Sequence, residues 1–294
     1  MPLLGKLFRE GGLLLDSGWF MQEPANSLGG RLSGADNGEF AERVRRGLRA
    51  REFRVVFQPI LHAPSRTISC VECLLRWDHP QFGLLNAGAF NDVFRDHQTA
   101  LDAFRFVLAV ACEEIVGAKI VMPHQLLPRI AINIPASLLL REEFGGEIAE
   151  TAACYGIDAG FLDLEIVETE DVSKFLSLDA FTKPLRDRGI RLFCDDFGIA
   201  HPPFVALGLM QIDGLKIDKM FLKCIPDSSR AATVLENLLG LCSKLQLDVV
   251  VEGVENEAQF KWLSAYGSVG QQGMYIGKAE SNIEKAMSID LRWR

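Results

Sequence analysis

The feature that most constrains the fold is a series of short apolar or alternating segments, separated by segments with helical periodicity. Such a series is typical of α/β proteins, in which helices connect parallel strands. The 294 residues suffice for eight strand–helix units. We therefore predict a TIM-like (β/α)8 barrel, with an open doubly wound sheet as the alternative. The predicted strands are Phe53–Ile60, Ser69–Trp77, Arg129–Ile134, Leu162–Val167, Ile190–Asp195, Gly214–Ile217, Leu247–Glu252 and Gln272–Ile276, and the predicted helices between them include 100–117, 136–153, 171–187, 228–245 and 256–265.

The beginning of the chain differs from the rest. Residues 1–37 contain scattered glycines, serines and a proline without sustained periodicity. We interpret them as an N-terminal tail or as part of a linker to an upstream sensory or signalling domain. From Glu39 onward, Phe40, Val44 and Leu48 recur every four residues and predict an amphipathic helix. The predicted barrel domain comprises residues 38–290.

Composition excludes several classes of protein. The chain has 39 acidic and 31 basic residues and a net charge of -8, so we expect no DNA binding over a general basic surface. No uncharged apolar run is long enough to predict a membrane span. The seven cysteines lie mostly in apolar runs, which predicts buried free thiols and a cytoplasmic location. Cys70 and Cys73 are three residues apart on a predicted strand, so they face opposite sides and do not share a metal.

Each predicted strand carries a polar residue in or near its end. Five of these residues have oxygen ligands of the kind that Mg²⁺, Mn²⁺ or Ca²⁺ prefers. One acid at one strand end is usually a helix cap or a surface charge, but the same pattern on eight strands is not explained that way. The carboxyl ends of barrel strands meet at one mouth, where a bound cation would offset the repulsion between carboxylates. The residues are Gln58, Glu72, Asn133, Glu165, Asp195, Lys216, Glu252 and Gln272.

Three further features sharpen this hypothesis. Asp195 and Asp196 are adjacent carboxylates that we expect to face different directions, each able to hold a separate ion. Lys216 lies in an apolar segment, where it serves either as a counter-ion to the acids or as a catalytic cation that orients the attacking water. Arg76, four residues after Glu72, is suited to bidentate contact with a phosphate.

These residues fall in segments that resemble one known family, the EAL domains, which are bacterial phosphodiesterases of cyclic di-GMP. The segment Glu72-Cys73-Leu74-Leu75-Arg76-Trp77 resembles the signature Glu-Ala-Leu-Leu-Arg-Trp, and the resemblance covers residues 39–288 in order. The other matching segments are Gln58-Pro59-Ile60, Asn133 within Ile-Asn-Ile, Glu165-Ile166-Val167-Glu168, Asp195-Asp196-Phe197-Gly198, Leu215-Lys216-Ile217-Asp218, Glu252-Gly253-Val254-Glu255 and Gln272-Gly273.

The resemblance implies a barrel whose first strand is antiparallel to the others, and hydrolysis of cyclic di-GMP to linear pGpG with two Mg²⁺ or Mn²⁺ ions. It also implies a homodimer. By the same resemblance, the first ion is bound by Glu72, Asn133, Glu165 and Asp195, and the second by Asp195 and Asp196. Lys216 and Glu252 would act on the attacking water, with Glu252 as the general base. Gln58, Arg76 and Gln272 would contact the dinucleotide, and Glu168 would support the loop after Asp195-Asp196.

That loop departs from the family pattern. Where the family usually has Thr-Gly-Tyr-Ser-Ser-Leu, this chain has Ile199-Ala200-His201-Pro202-Pro203-Phe204, which is apolar and stiffened by two prolines. Two functions therefore stay open. One is an active phosphodiesterase with an atypical loop. The other is a degenerate module that binds cyclic di-GMP or a protein without turnover. The complete set of acidic residues and the lysine favour the enzyme.

Overall fold

The computed structural model describes residues 37–167, 179–198 and 204–288. The predicted tail lies outside these ranges except for its last residue. Glu168, the atypical loop 199–203 and the first part of the predicted helix 171–187 also lie outside them, so the predictions for these segments stay predictions.

The fold is the predicted closed barrel. Its strands are β1 Phe53–His62, β2 Thr67–His79, β3 Gly83–Asn86, β4 Arg129–Pro135, β5 Leu162–Val167, β6 Arg191–Phe197, β7 Gly214–Ile217, β8 Asp248–Val251 and β9 Gly270–Gln271. Eight of these strands follow one another around the barrel in the order β1-β2-β4-β5-β6-β7-β8-β9, and β9 pairs with β1 to close the ring. The first strand is antiparallel to both of its neighbours, as expected, and β2 and β4 to β9 are parallel to one another.

Helices connect these strands and cover the outside of the barrel. Within the described ranges they are α1 Asn37–Arg49, α2 His97–Val121, α3 Phe144–Cys154, α4 Asp179–Arg186, α5 Ser229–Lys244, α6 Glu257–Ser264 and α7 Ile283–Met287. Helix α1 confirms the helix predicted from the fourfold spacing of Phe40, Val44 and Leu48. Asp96, Ser228 and Asn256 cap the N-termini of α2, α5 and α6 through their side chains. None of the described helices combines the length and apolarity needed to cross a lipid bilayer.

The strands of the structure differ from the predicted ones in two places. The last barrel strand is Gly270–Gln271 and ends before the predicted segment Gln272–Ile276 begins. Gly273 turns the chain there with φ 152°, and a Cβ at this position would lie 2.3 Å from the Val254 backbone. The hairpin strand β3, which pairs with the end of β2, was not predicted. Both differences depend on contacts with distant segments, which local periodicity does not report.

The core has two parts. Most buried apolar side chains lie between the strands and the helices. A smaller cluster fills the lower part of the barrel interior and contains Ile60, Cys70 and Ala131, with Val250 packed against it. Cys73 belongs to the outer cluster, so the two cysteines face opposite sides as predicted, and both are free thiols. Polar side chains fill the interior above the smaller cluster.

Candidate functional site

The carboxyl ends of the strands place the predicted residues at one mouth. Glu72 lies on β2, Asn133 on β4 and Glu165 on β5. Asn133 and Glu165 are register partners on neighbouring parallel strands. Side chains of such partners point to the same face of a sheet, so both point into the barrel. Asp195 and Lys216 continue the ring on β6 and β7, and Glu252 follows the last residue of β8. All six side chains are buried.

Lys216 lies at the centre of this ring. Its ammonium nitrogen is 2.7 Å from Glu252 Oε1, 2.9 Å from Glu165 Oε2 and 3.1 Å from Glu72 Oε2. Asp195 Oδ1 is 3.4 Å away, and the lysine side chain is only 1% exposed. One buried ammonium therefore binds four carboxylates from four strand ends, which holds the ring together. This arrangement agrees with the counter-ion role expected for Lys216.

Two amides orient the Glu72 carboxylate. Asn133 Nδ2 donates to Glu72 Oε1 at 2.7 Å, and Gln272 Nε2 donates to Glu72 Oε2 at the same distance. The opposite atoms of these amides, Asn133 Oδ1 and Gln272 Oε1, are buried without a partner in the described part of the chain. A buried oxygen without a partner is costly, and a cation or a ligand would satisfy it. Asn133 Oδ1 is thus free to act as the metal ligand that the sequence predicts.

A β-bulge brings the two adjacent aspartates to the same side, contrary to the expectation that they face apart. Cys194 pairs with Leu215 and Phe197 pairs with Ile217, so Asp195 and Asp196 together lie opposite a single residue of β7. Asp196 adopts φ 51° in the left-handed region, which a β-strand residue does not otherwise take. This backbone turn rotates its side chain toward the mouth.

Because of the bulge, a closely spaced acidic group forms at the mouth. Asp195, Asp196 and Glu252 each bring a carboxylate oxygen to within 4.8 Å of the others, and all three are buried. Asp196 Oδ1 and Glu252 Oε2 have no hydrogen-bond partner within the described residues. The three carboxylates could therefore bind a metal ion. The strand-end pattern included Glu252 among the oxygen ligands, whereas the family resemblance assigned it to the attacking water. Nothing in the sequence indicated the bulge.

Electrostatics at the mouth reflect an excess of acids. Burial raises the pKa of Asp196 to about 9, with repulsion from Asp195 adding to the effect. Burial raises the pKa of Glu252 to about 8 despite the attraction of Lys216. Burial likewise raises the pKa of Glu165 well above its usual value. Burial would also raise the pKa of Glu72, but Lys216 and the two amides lower it below its usual value. The single positive charge of Lys216 does not balance the negative charge of these carboxylates. A divalent cation would supply the missing positive charge.

The predicted substrate-contacting residues surround the acidic ring. Gln58, on β1, is the register partner of Glu72, and its Nε2 donates a long 3.5 Å hydrogen bond to the Gly277 carbonyl. Arg76 is buried on β2, and its Nη1 donates to the Leu75 carbonyl at 3.0 Å. Gln272 donates through Nε2 to Glu72, which is one of the candidate metal ligands. Contact of these three with a dinucleotide stays a prediction.

The sequence reasoning missed Gln259, on α6. Its Oε1 accepts from the Glu255 backbone N–H at 2.9 Å, and its Nε2 donates to the Leu222 carbonyl at 3.1 Å. It therefore links the segments that follow β7 and β8, the strands that position Lys216 and Glu252. The sequence signal that could have indicated it is the spacing of Asn256 and Gln259, which is typical of a helix N-terminus. This signal is weak.

Fold and site together define a class of protein: a (β/α)8 barrel with a buried acidic mouth and an antiparallel first strand. The chain belongs to the EAL domain family, whose model matches residues 41–279. Its relatives include Rv1354c of Mycobacterium tuberculosis, an uncharacterized protein, at 32% identity over 84% of this chain and 40% of that protein. The cyclic di-GMP phosphodiesterase NbdA of Pseudomonas aeruginosa is 30% identical over 76% of this chain and 28% of that protein. The chain thus spans less than half the length of these two relatives.

Solved structures agree with this assignment. The PaMucR phosphodiesterase in its c-di-GMP complex matches with a TM-score of 0.72 and 26% identity, covering 81% of this chain and 96% of that one. The FimX EAL domain of Xanthomonas citri, in complex with c-diGMP, matches with a TM-score of 0.73 at 16% identity, covering 86% and 98%. The second match shows the shared fold alone.

Proposed function

We propose that this chain hydrolyses cyclic di-GMP to linear pGpG with Mg²⁺ or Mn²⁺ at the acidic mouth. The observation that carries the proposal is the group formed by Asp195, Asp196 and Glu252, whose carboxylate oxygens lie within 4.8 Å of one another beside the Lys216 ring. Hydrolysis of a phosphodiester by divalent ions needs such a concentration of oxygen ligands. Relatives named as cyclic di-GMP phosphodiesterases support the choice of substrate.

The unpartnered oxygens of the mouth fit divalent ions. We assign Glu72, Asn133, Glu165 and Asp195 to one ion, and Asp195 and Asp196 to a second, with Glu252 within reach of it. Bound ions would polarise the phosphoryl oxygens and lower the pKa of an attacking water. Because the ligands belong to different strands, the barrel framework fixes their spacing before an ion binds, which reduces the reorganisation that binding requires.

Side chains of this site can perform the remaining chemistry. Glu252 Oε2, which has no partner within the described ranges, would accept a proton from the attacking water. The water oxygen then forms a bond to phosphorus, the P–O3′ bond breaks, and the leaving oxygen takes up a proton from solvent. Lys216 holds Glu252 through Oε1 and so keeps Oε2 directed away from itself. Arg76 would bind the phosphate oxygens.

A second candidate function is a receptor that binds cyclic di-GMP without hydrolysis. The observation that favours it is the loop sequence Ile199-Ala200-His201-Pro202-Pro203, which replaces the small hydroxyl-bearing residues usual in the family. The ligand set favours the enzyme over the receptor, because binding alone does not require a lysine among four carboxylates. A homodimer, an upstream sensory domain and a cytoplasmic location stay predictions.

The test is turnover of cyclic di-GMP by the purified chain with Mg²⁺ or Mn²⁺, with pGpG resolved by chromatography. Glu252→Gln keeps the size of the side chain and removes the base, so we expect at least a 100-fold fall in kcat. Glu236→Gln, an exposed position on α5, is the matched control and should leave kcat unchanged. Tight binding of cyclic di-GMP in Ca²⁺ with no product in Mg²⁺ or Mn²⁺ would replace the enzyme with the receptor.

A further inference from the structure

A cleft of about 720 Å³ lies at the end of the barrel opposite the acidic mouth. Its walls include Thr67–Ser69 at the start of β2, Arg129 at the start of β4 and Phe161 just before β5. These parallel strands carry Glu72 and Asn133 three and four residues beyond Ser69 and Arg129, a separation of about 10–13 Å. The cleft is therefore distinct from the site described above, and the proposed function does not use it.

The polar side of the cleft carries two guanidinium groups. Arg66 is exposed and makes no ion pair with any residue of the described ranges. Arg129 uses Nε and Nη2 to bind Asp163 Oδ1 at 2.8 Å and 2.6 Å, and Nη2 also donates to a backbone carbonyl, which leaves Nη1 for a ligand. Asp158, the carboxylate that also lines the cleft, accepts from the Gly160 N–H through Oδ1 at 2.8 Å. The lining thus carries two guanidinium groups and one carboxylate, and this net positive charge favours an anion.

The other side of the cleft is apolar and partly open to water. Ile68, Leu127, Phe161 and Met287 line it together with Leu126, whose surface is 90% exposed. An exposed leucine at the rim of a concave apolar wall gains free energy when a ligand covers it. A volume of about 720 Å³ also lies within the range of small-molecule sites. A ligand that fills this cleft would have one anionic end and one apolar end.

We propose that this cleft binds a small organic anion carrying an apolar chain, such as a medium-chain carboxylate. The carboxylate would lie between Arg66 and Arg129, and the chain would cover Leu126 and Phe161. This inference stands independently of the proposed phosphodiesterase activity, because no residue of the acidic mouth contributes to it.

Octanoate is the probe, with 1-octanol and octylammonium as ligands of equal chain length and different charge. Calorimetric titration of the whole chain gives the affinity, and ¹H–¹⁵N spectra locate the site. We expect saturable binding of octanoate, with shifts concentrated at the cleft residues, and at least tenfold weaker binding of the alcohol and the amine. Equal affinity for all three, or shifts spread outside the cleft, would overturn the proposal.

Matched variants test the two sides of the cleft separately. Arg66→Glu should weaken octanoate binding at least tenfold, whereas Arg51→Glu should not. Both arginines are exposed and have positive φ, 53° and 59°, but Arg51 lies at the other end of the barrel. Leu126→Asp should also weaken binding at least tenfold, and Val234→Asp on α5 should not. Unchanged affinity in Arg66→Glu and Leu126→Asp would show that octanoate does not bind here.

Discussion

Replacing the central lysine tests how the acidic mouth is stabilised. Lys216→Met keeps an unbranched side chain of similar length and removes the ammonium that binds Glu72, Glu165 and Glu252 at 2.7–3.1 Å. Because Lys216 is 1% exposed and its partners are also buried, their charges would be left without water or a cation. Breaking a buried ion pair by removing one partner costs about 3–5 kcal/mol. For a domain of this size, about 1 kcal/mol lowers Tm by about 2–4 °C, so we expect a fall of roughly 6–20 °C in EDTA.

Added metal provides the discriminating measurement. If divalent ions bind the carboxylates that Lys216 now holds, Mg²⁺ or Mn²⁺ would replace the missing positive charge and restore part of the loss. The rise of Tm on adding metal should therefore be larger in Lys216→Met than in the parent chain. Scanning calorimetry in EDTA and in MnCl₂ measures both values. Lys223→Met, an exposed lysine beyond β7, is the matched control. A Tm in EDTA equal to that of the parent, or an equal metal effect in both chains, would refute this view of the mouth.

Three further substitutions test other parts of the framework. Asp163→Asn removes the buried carboxylate that binds two partly exposed arginines at the end of the barrel opposite the acidic mouth. It should lower the free energy of unfolding by about 2–4 kcal/mol in urea titration. An unchanged midpoint would show that the arginines find other partners. Gln259→Leu should lower stability by about 1–3 kcal/mol and reduce kcat, because the segments after β7 and β8 lose their link. A loss of stability with full kcat would limit its role to folding. Gly273→Ala should destabilise by about 1–3 kcal/mol, since the added Cβ meets the Val254 backbone, whereas Gly240→Ala on α5 has open space and should stabilise the chain slightly. Equal effects of the two glycine substitutions would contradict the close approach.

Much of the site was predictable because the alternation of side chains along a strand depends only on neighbouring residues in the sequence. Side chains alternate along a strand, so a polar residue at the end of an apolar run is directed to the same mouth as its counterparts on neighbouring strands. This reasoning predicted the places of Glu72, Asn133 and Glu165 on successive parallel strands. The same alternation predicted that Cys70 and Cys73 lie on opposite faces, which the two separate core clusters confirm.

The rest required the register between strands. The bulge at Asp195 and Asp196 exists because β6 has one residue more than β7 between two pairs of register partners, and the spacing of charges along one segment does not report that difference. The turn at Gly273 likewise depends on the approach of Val254, a residue of another segment. The sequence by itself determined the order of the strands and the residue types at their ends, through patterns a few residues long. Only the tertiary structure decided which carboxylates converge, because that depends on distances between segments far apart in the chain.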